Sequence, residues 1–348
     1  RTWSQLGFED VAIGPLHSER QYFWQVVGAE LPAATGGGFQ AIVGVGPPST
    51  PRSDALAQAR SAMRLGRQAK ADPKMHVTSG ARAAARDAVG LAKEQTLLES
   101  FGVLVFSICI RRADRSEGYF TWNDDDPRTL KPGLFVAVPV VGNLTWGAKL
   151  TNVRMKVDKD LPDLTIGCEA GCGALLDSGT SLLVVPTEAA RRALELLDRL
   201  NSDCSDLDLL PHLVFELGGV RLSLPPEAYV GQFEGELPQS MHRYAKKIGR
   251  GTNYRACELL IMTMDVNTQL GPMWIMGLPF FREYYTTFSL GNNIWDQEKR
   301  SLFLAEPDDG CRPRMPSAGR RSSVRGSLRR VDLSQAQFPQ WVETAAAA

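Results

Sequence analysis

The segment Ala174-Leu175-Leu176-Asp177-Ser178-Gly179-Thr180-Ser181-Leu182-Leu183-Val184-Val185-Pro186 sets one carboxylate between two apolar runs and follows it with small, polar or flexible residues. Burying an unpaired carboxylate is costly, so Asp177 must be hydrogen-bonded, protonated or shared with another acid. Gly179 lets the backbone approach that carboxylate and offer its N–H. The hydroxyls of Ser178, Thr180 and Ser181 can hold the turn and bond the acid. The chemistry open to such a group is general acid or base catalysis. An isolated Asp-Ser-Gly is also a common turn, so the tripeptide alone does not decide its role.

Other chemistries have less support. Ser178 or Ser181 as a hydrolase nucleophile needs a nearby histidine and a Gly-x-Ser-x-Gly setting, and the sequence offers neither. Asp124-Asp125-Asp126 lacks the alternating ligands and closing Glu of a calcium loop and reads as an exposed turn before Pro127. Cys168 and Cys172 enclose Glu169-Ala170-Gly171, a loop that one disulfide can close and that could equally be half of a zinc site. His17, His76, His212 and His242 are scattered, so no metal and no cofactor is expected. Cys109, inside Val103 to Ile110, reads as a buried thiol acting as a small hydrophobe.

The elements that position Asp177 are read as β. Most of the 348 residues fall in short β-branched and aromatic runs punctuated by Gly, Pro and Asx. Thr187 to Leu200 departs from this as an amphipathic helix, with Ala190, Leu194, Leu197 and Leu200 at helical spacing. Residues 52–94 are rich in Ala and Arg and read as an insert of short helices or a loop. From about 307 to 348 the chain turns to Pro, Ser, Gly and Arg, including Arg320-Arg321-Ser322-Ser323 and Arg329-Arg330, and reads as a disordered basic tail. Phe39-Gln40-Ala41-Ile42-Val43-Gly44 and Trp274-Ile275-Met276-Gly277 share an apolar-apolar-glycine signature, as two-lobed pseudo-symmetry would produce.

Composition bounds the function class. The 39 Lys+Arg equal the 39 Asp+Glu, which leaves no global basic field and disfavours nucleic acid as a partner. Hydrophobic residues at 43% and charged residues at 22% exclude wholesale disorder. The apolar stretches Phe101 to Ile110 and Leu134 to Val141 are about half the ~20 residues a membrane-spanning helix needs, so no transmembrane segment is expected.

The segment from Cys168 to Pro186 closely resembles the second active-site strand and loop of the pepsin-like aspartic peptidases. The resemblance continues, in the family's order, through Leu210 to Phe215, Gly219 to Tyr229 and Trp274 to Phe288. Upstream, Gly7 to Gly14 resembles the strand just after the substrate-covering flap. Phe39 to Gly46 resembles a family turn in which Gln40 and Ala41 replace Asp-Gly. Similarity covers roughly residues 5–50 and 95–306.

The resemblance implies a mostly β, bilobed pepsin-like acid-protease fold, with the remainder of an N-terminal lobe over 1–140 and a C-terminal lobe over 141–306. It implies Cys168–Cys172 and Cys204–Cys257 bridges. It makes Asp177 one of two catalytic aspartates, with Thr180 hydrogen-bonded to it, Ser178 holding the active-site loops together, and Gly179 and Ser181 completing the loop. In this family one ionised carboxylate takes a proton from water while a protonated partner polarises the scissile carbonyl. Such like-charged pairs are the standard example of split pKa values, a family property and not one read from this chain.

The sequence contains no second Asp-Thr/Ser-Gly. It also begins at Arg1 without Met, so the N-terminal lobe is expected to be incomplete, lacking the first aspartate loop and the flap. Three readings compete: a fragment of a full aspartic-type endopeptidase; a non-catalytic peptide- or protein-binding homologue, suggested by Gln40, Leu278 and Ser289 where the family usually has aspartates; and a homodimer giving one aspartate per subunit, which fits poorly. The first is preferred, with a monomer as the expected state. The implied substrates are extended peptides with bulky apolar residues at the cleaved bond. The bridges and the sequon Asn143-Leu144-Thr145 suit the secretory pathway, a vacuole or lysosome, or the extracellular space.

Overall fold

The computed structural model describes residues 2–29, 41–48, 94–113, 116–143, 145–156, 163–197, 204–236, 253–294, 297–315 and 328–332, with single positions between 56 and 67 and at 90. Most of the Ala/Arg-rich insert, Phe39, Gln40, His76, Leu144 of the sequon, Leu200, His242 and the Arg320–Ser323 cluster lie outside these residues. The chain divides into two compact units. One comprises 1–104, 143–145 and 290–297, and the other 105–142, 146–289 and 298–348.

The first unit holds an antiparallel ribbon of β1 (Thr2–Ile13) and β2 (Leu16–Ala29) and a short helix α1 (Leu97–Ser100). Leu6 faces Trp24 and Phe8 faces Tyr22 across the ribbon, and the Arg20 guanidinium lies 4.6 Å from the Phe8 ring centre.

The second unit begins with β3 (Val105–Ile110), β4 (Gly118–Trp122), β5 (Val136–Pro139), β6 (Gly147–Lys156), β7 (Leu164–Gly167), β8 (Cys172–Leu176) and β9 (Leu183–Val185). Helix α2 (Thr187–Leu197) follows, then β10 (His212–Leu217), β11 (Val220–Leu224), α3 (Pro226–Tyr229), β12 (Val230–Glu236), β13 (Asn253–Leu259), β14 (Ile261–Thr263) and β15 (Asn267–Thr268). The rest is β16 (Gly271–Met276), α4 (Leu278–Glu283), β17 (Tyr285–Ser289), β18 (Ser301–Pro307), β19 (Pro313–Arg314) and β20 (Arg329–Asp332). A nine-stranded sheet runs β11-β10-β6-β8-β16-β9-β14, with β7 on β6 and β15 on β16; a six-stranded sheet runs β19-β18-β17-β3-β4, with β5 on β18; a three-stranded sheet is β13-β12-β20. The fold is mostly β.

Periodicity explains these strands. Buried and half-buried residues alternate along β10 (Leu213, Phe215 and Leu217 inward), as expected of a sheet covered on one face. β3 and β17 are instead buried at nearly every position, on both faces, with Ser107, Thr286, Thr287 and Ser289 among the buried residues. The division near residue 140 expected from sequence differs from the compact units, because β3 pairs with β17 and β5 with β18, which draws residues 105–142 into the larger unit.

The core of the six-stranded sheet is an aromatic column. Phe106 stacks on Phe288 at 4.7 Å and on Phe120 at 5.3 Å, and Trp146 meets Phe106 and Phe288 edge-on. The backbone carbonyl of Trp146 then accepts the N–H of Leu176, the last residue of β8, which ties the column to the strand leading into Asp177.

Polar residues in these strands are satisfied as a chain. Ser107 donates to Asp124 Oδ2 at 2.5 Å, which leaves its oxygen to accept from Thr287 at 2.7 Å, and Tyr285 donates to the same Asp124 oxygen at 2.6 Å. The Asp124–Asp126 run is therefore more than the exposed turn expected: Asp124 joins β3 to β17, while Asp126 caps a 3-10 turn and pairs with Arg128.

Cys109 is likewise not the free thiol expected. It is bonded to Cys311, closing a loop of 202 residues, inside a cluster with Tyr285 and Ala305. On the chain-entropy account such a loop is worth about 5 kcal/mol. Within the stretch expected to be disordered from 307, the described residues of Cys311, β19 and β20 are paired to the unit, while 316–327 and 333–348 lie outside the described residues.

Helix α2 also packs differently from its pattern. Among its described side chains Ala189, Ala190 and Ala193 are buried, and Leu194, expected on the buried face with Ala190, is exposed. Small side chains allow a close approach that leucines at this spacing would prevent.

Two outcomes follow from this packing. Phe288→Ala empties the middle of the column and is expected to cost about 3–5 kcal/mol, read as a lowered midpoint in denaturant unfolding. Burial, reinforced by Asp124, pushes the Tyr285 hydroxyl up to about 12 from 10.0. A raised folded pKa gives stability that is complete below the unfolded value and is lost as pH rises through the folded one. The chain should therefore lose stability between pH 10.0 and about 12, and Tyr285→Phe should flatten that fall in a pH series of thermal melts.

Candidate active site

Asp177 sits at the end of β8, where two strands run parallel. β8 and β16 pair from Gly173↔Met273 to Leu176↔Met276, and the Asp177 N–H continues the ladder by donating to the Met276 carbonyl at 3.1 Å. The chain then turns through Ser178–Leu182 and returns as β9, which meets β16 at Ile275↔Val184. The Leu278 N–H donates to the Thr180 carbonyl at 2.8 Å and fastens the turn from the other side.

Gly277 makes this closure sterically feasible. A Cβ there would lie 2.1 Å from the Leu182 carbonyl oxygen and 2.4 Å from that of Thr180. Its φ of −86° is available to any residue, so space and not torsion demands glycine.

Within the turn the carboxylate is gripped at both oxygens. Oδ1 accepts the Gly179 N–H at 2.9 Å and Oδ2 accepts the Thr180 hydroxyl at 2.6 Å. Asp177 is half-buried. An ionised carboxylate offers about four acceptor sites, so further sites remain for a water or a second acid.

Of the hydroxyls expected to bond the acid, Thr180 does. Ser178, half-buried, and Ser181, exposed, are not its donors. Gly179 is close enough that a Cβ would lie 3.1 Å from Oδ1.

The strands entering the site are pinned at their start. Cys168 and Cys172 form a disulfide with Cα atoms 5.2 Å apart, and Gly171 (φ 106°) and Gly271 (φ 112°) cross so closely that a Cβ on Gly271 would sit 2.3 Å from the Gly171 carbonyl. Cys204 and Cys257 form the third disulfide. Beyond the turn, Leu183 donates to the Leu260 carbonyl at 2.9 Å and Leu260 to the Tyr229 carbonyl at 2.8 Å, which ties β9 to the base of the β12–β13 hairpin. Sequence reasoning flagged Gly277 as half of a repeat signature but missed Leu260, whose role is carried by its backbone and leaves no side-chain signal.

Among the described residues no group of three or more His, Cys, Asp or Glu is placed to hold a metal ion. No helix among them is long and apolar enough to cross a membrane.

The family model described as eukaryotic aspartyl protease matches residues 91–296, more than half of the chain. The chain belongs to the eukaryotic aspartyl proteases. Pepsin A of Sus scrofa is 32% identical over 185 residues, which are 50% of this chain and 43% of that protein. Pepsin A of Bos taurus is 29% identical over 196 residues, 54% of this chain and 45% of that protein. Gastricsin of Mus musculus is 29% identical over 167 residues, 44% of this chain and 37% of that protein. The aspartyl protease chain thus spans less than half the length of these curated relatives. The match contains the whole Asp177 turn and Gly277, while the resemblance noted over residues 5–50 falls outside it.

Gly277→Ala should be one of the most disruptive single-methyl additions in this aspartyl protease, because backbone carbonyls on two sides must move. Gly44→Ala, where nothing among the described residues lies within 4 Å, is the matched control. Thermal melts should show loss of cooperative unfolding for the first and a change within about 0.5 kcal/mol for the second.

Proposed function

We propose that Asp177 is one of the two water-activating carboxylates of an aspartic-type endopeptidase. The observation that carries this reading is the grip on Asp177: a backbone N–H and a hydroxyl fix both carboxylate oxygens at the mouth of two parallel strands, and each oxygen has a further lone pair with which to accept. A carboxylate held in this way keeps its orientation as charge shifts during proton transfer.

The reaction needs a second carboxylate. Ionised, one acid takes a proton from water; protonated, the other polarises the peptide carbonyl and later supplies a proton to the leaving amine. The 348-residue sequence holds one Asp-Thr/Ser-Gly, so the partner acid is proposed to come from residues outside it, and this chain alone is expected to be inactive. Leu278 and Ser289, which suggested a non-catalytic homologue, leave the turn intact: Leu278 contributes its backbone N–H to Thr180, and Ser289 lies buried in β17.

The substrate we propose is an extended peptide with apolar residues at the cleaved bond, acted on by a monomer in an oxidising compartment, whether secretory, vacuolar or extracellular. Support for the compartment comes from the three disulfides. Balanced charge supports the absence of nucleic acid among its partners.

The test compares the 348-residue chain with a longer form of the protein carrying a second Asp-Thr/Ser-Gly, both assayed on a quenched peptide at acidic pH. The longer form should cleave, and Asp177→Asn should lower its rate at least about a thousandfold. Cleavage insensitive to Asp177→Asn would refute the assignment. Turnover by the 348-residue chain, abolished by Asp177→Asn, would instead mean that two copies each give one aspartate.

A further inference from the structure

Strand β20 comes from the stretch that composition marks as a disordered basic tail, yet it lies parallel to β12 in the register Gly231↔Arg329, Gln232↔Arg330, Phe233↔Val331 and Glu234↔Asp332. The other edge of β12 is taken by β13, so β20 fills an edge that would otherwise be a template for another strand.

The fit is specific row by row. Glu258, Gly231 and Arg329 occupy one row, an anion and a cation on either side of a residue with no side chain. A Cβ on Gly231 would lie 2.8 Å from Leu260 Cδ2 and 3.5 Å from the Arg329 carbonyl oxygen, so this glycine is where the hairpin base and the tail strand come together. Ala256, Phe233 and Val331 form an apolar row, with Phe233 and Val331 half-buried.

The last row sets Asp332 beside Glu234, and like charges directly opposite weaken a pair. Parallel pairing is also slightly weaker per residue than antiparallel. A four-residue strand with these properties makes a weak pair by itself.

We propose that the outer edge of β12 is a strand-docking surface, and that its occupant is the chain's own Arg329–Asp332 segment. Main-chain bonds supply the affinity, and the Glu258 and Phe233 rows favour a cation followed two residues later by an apolar residue. The docked strand braces the hairpin whose base is hydrogen-bonded through Leu260 to Leu183, immediately beyond the Asp177 turn. This inference does not depend on a catalytic role for Asp177.

The test is hydrogen exchange on the 348-residue chain and on a variant with residues 328–333 deleted. Deletion should speed exchange of the Gly231–Glu234 amides by about tenfold or more while leaving β6 and β10 protected. A synthetic Leu328–Leu333 peptide at millimolar excess should restore the protection. Unchanged exchange in the variant would overturn the proposal, as would a local rise that the peptide fails to reverse. Loss of protection throughout the unit would overturn it too, since the segment would then be part of the core and not a docked strand.

Discussion

The parallel contact between β8 and β16, closed by the crossing at Gly277, is the constraint on which the site rests. Parallel strands cannot be joined by a tight turn, so the chain must leave β8, make its own loop and return as β9 on the far side of β16. The loop that results carries Asp177, and its shape is set by two strands and a missing side chain more than by its own sequence. The aromatic column beneath fixes β8 through Trp146, and the crossing of Gly171 and Gly271 fixes the other end of the pair. Asp177 is therefore oriented by the Gly179 and Thr180 donors of its own turn and by the strand packing that holds that turn in place.

Legibility followed the range of the interactions. The Asp177 turn was readable because its donors, Gly179 and Thr180, lie within three residues of the acid. Helix α2 was readable as an element, from Pro186 and Thr187 onward, but its buried face was not. Of the periodic positions that are described, Ala190 is buried as its spacing requires, whereas Leu194 is exposed and Ala189 and Ala193 are buried beside Ala190. The Cys109–Cys311 bridge had no local spacing to announce it, because its partners are 202 residues apart. Asp124 looked like part of a charged turn. The signal that could have found its role was Ser107, a lone hydroxyl in an otherwise apolar strand that needs a partner.

The tail shows how composition can mislead when only a few residues carry the structure. Pro, Ser, Gly and Arg dominate from residue 307, and averaged over the stretch they argue against order. Cys311 and the four residues of β20 act singly, one by a covalent bond and the others by edge pairing, and neither mechanism requires a high local density of apolar residues. Membership of the eukaryotic aspartyl proteases accounts for residues 91–296, and these anchors lie beyond that match.

The Cys109–Cys311 link also changes what a broken backbone means for this molecule. A peptide bond hydrolysed anywhere between the two cysteines yields pieces that stay covalently joined, and Cys204–Cys257 adds a second clasp within that span. A nicked molecule would run as one band under non-reducing electrophoresis and separate only after reduction. In surroundings rich in peptidases, the integrity of the particle is thus uncoupled from the integrity of its main chain.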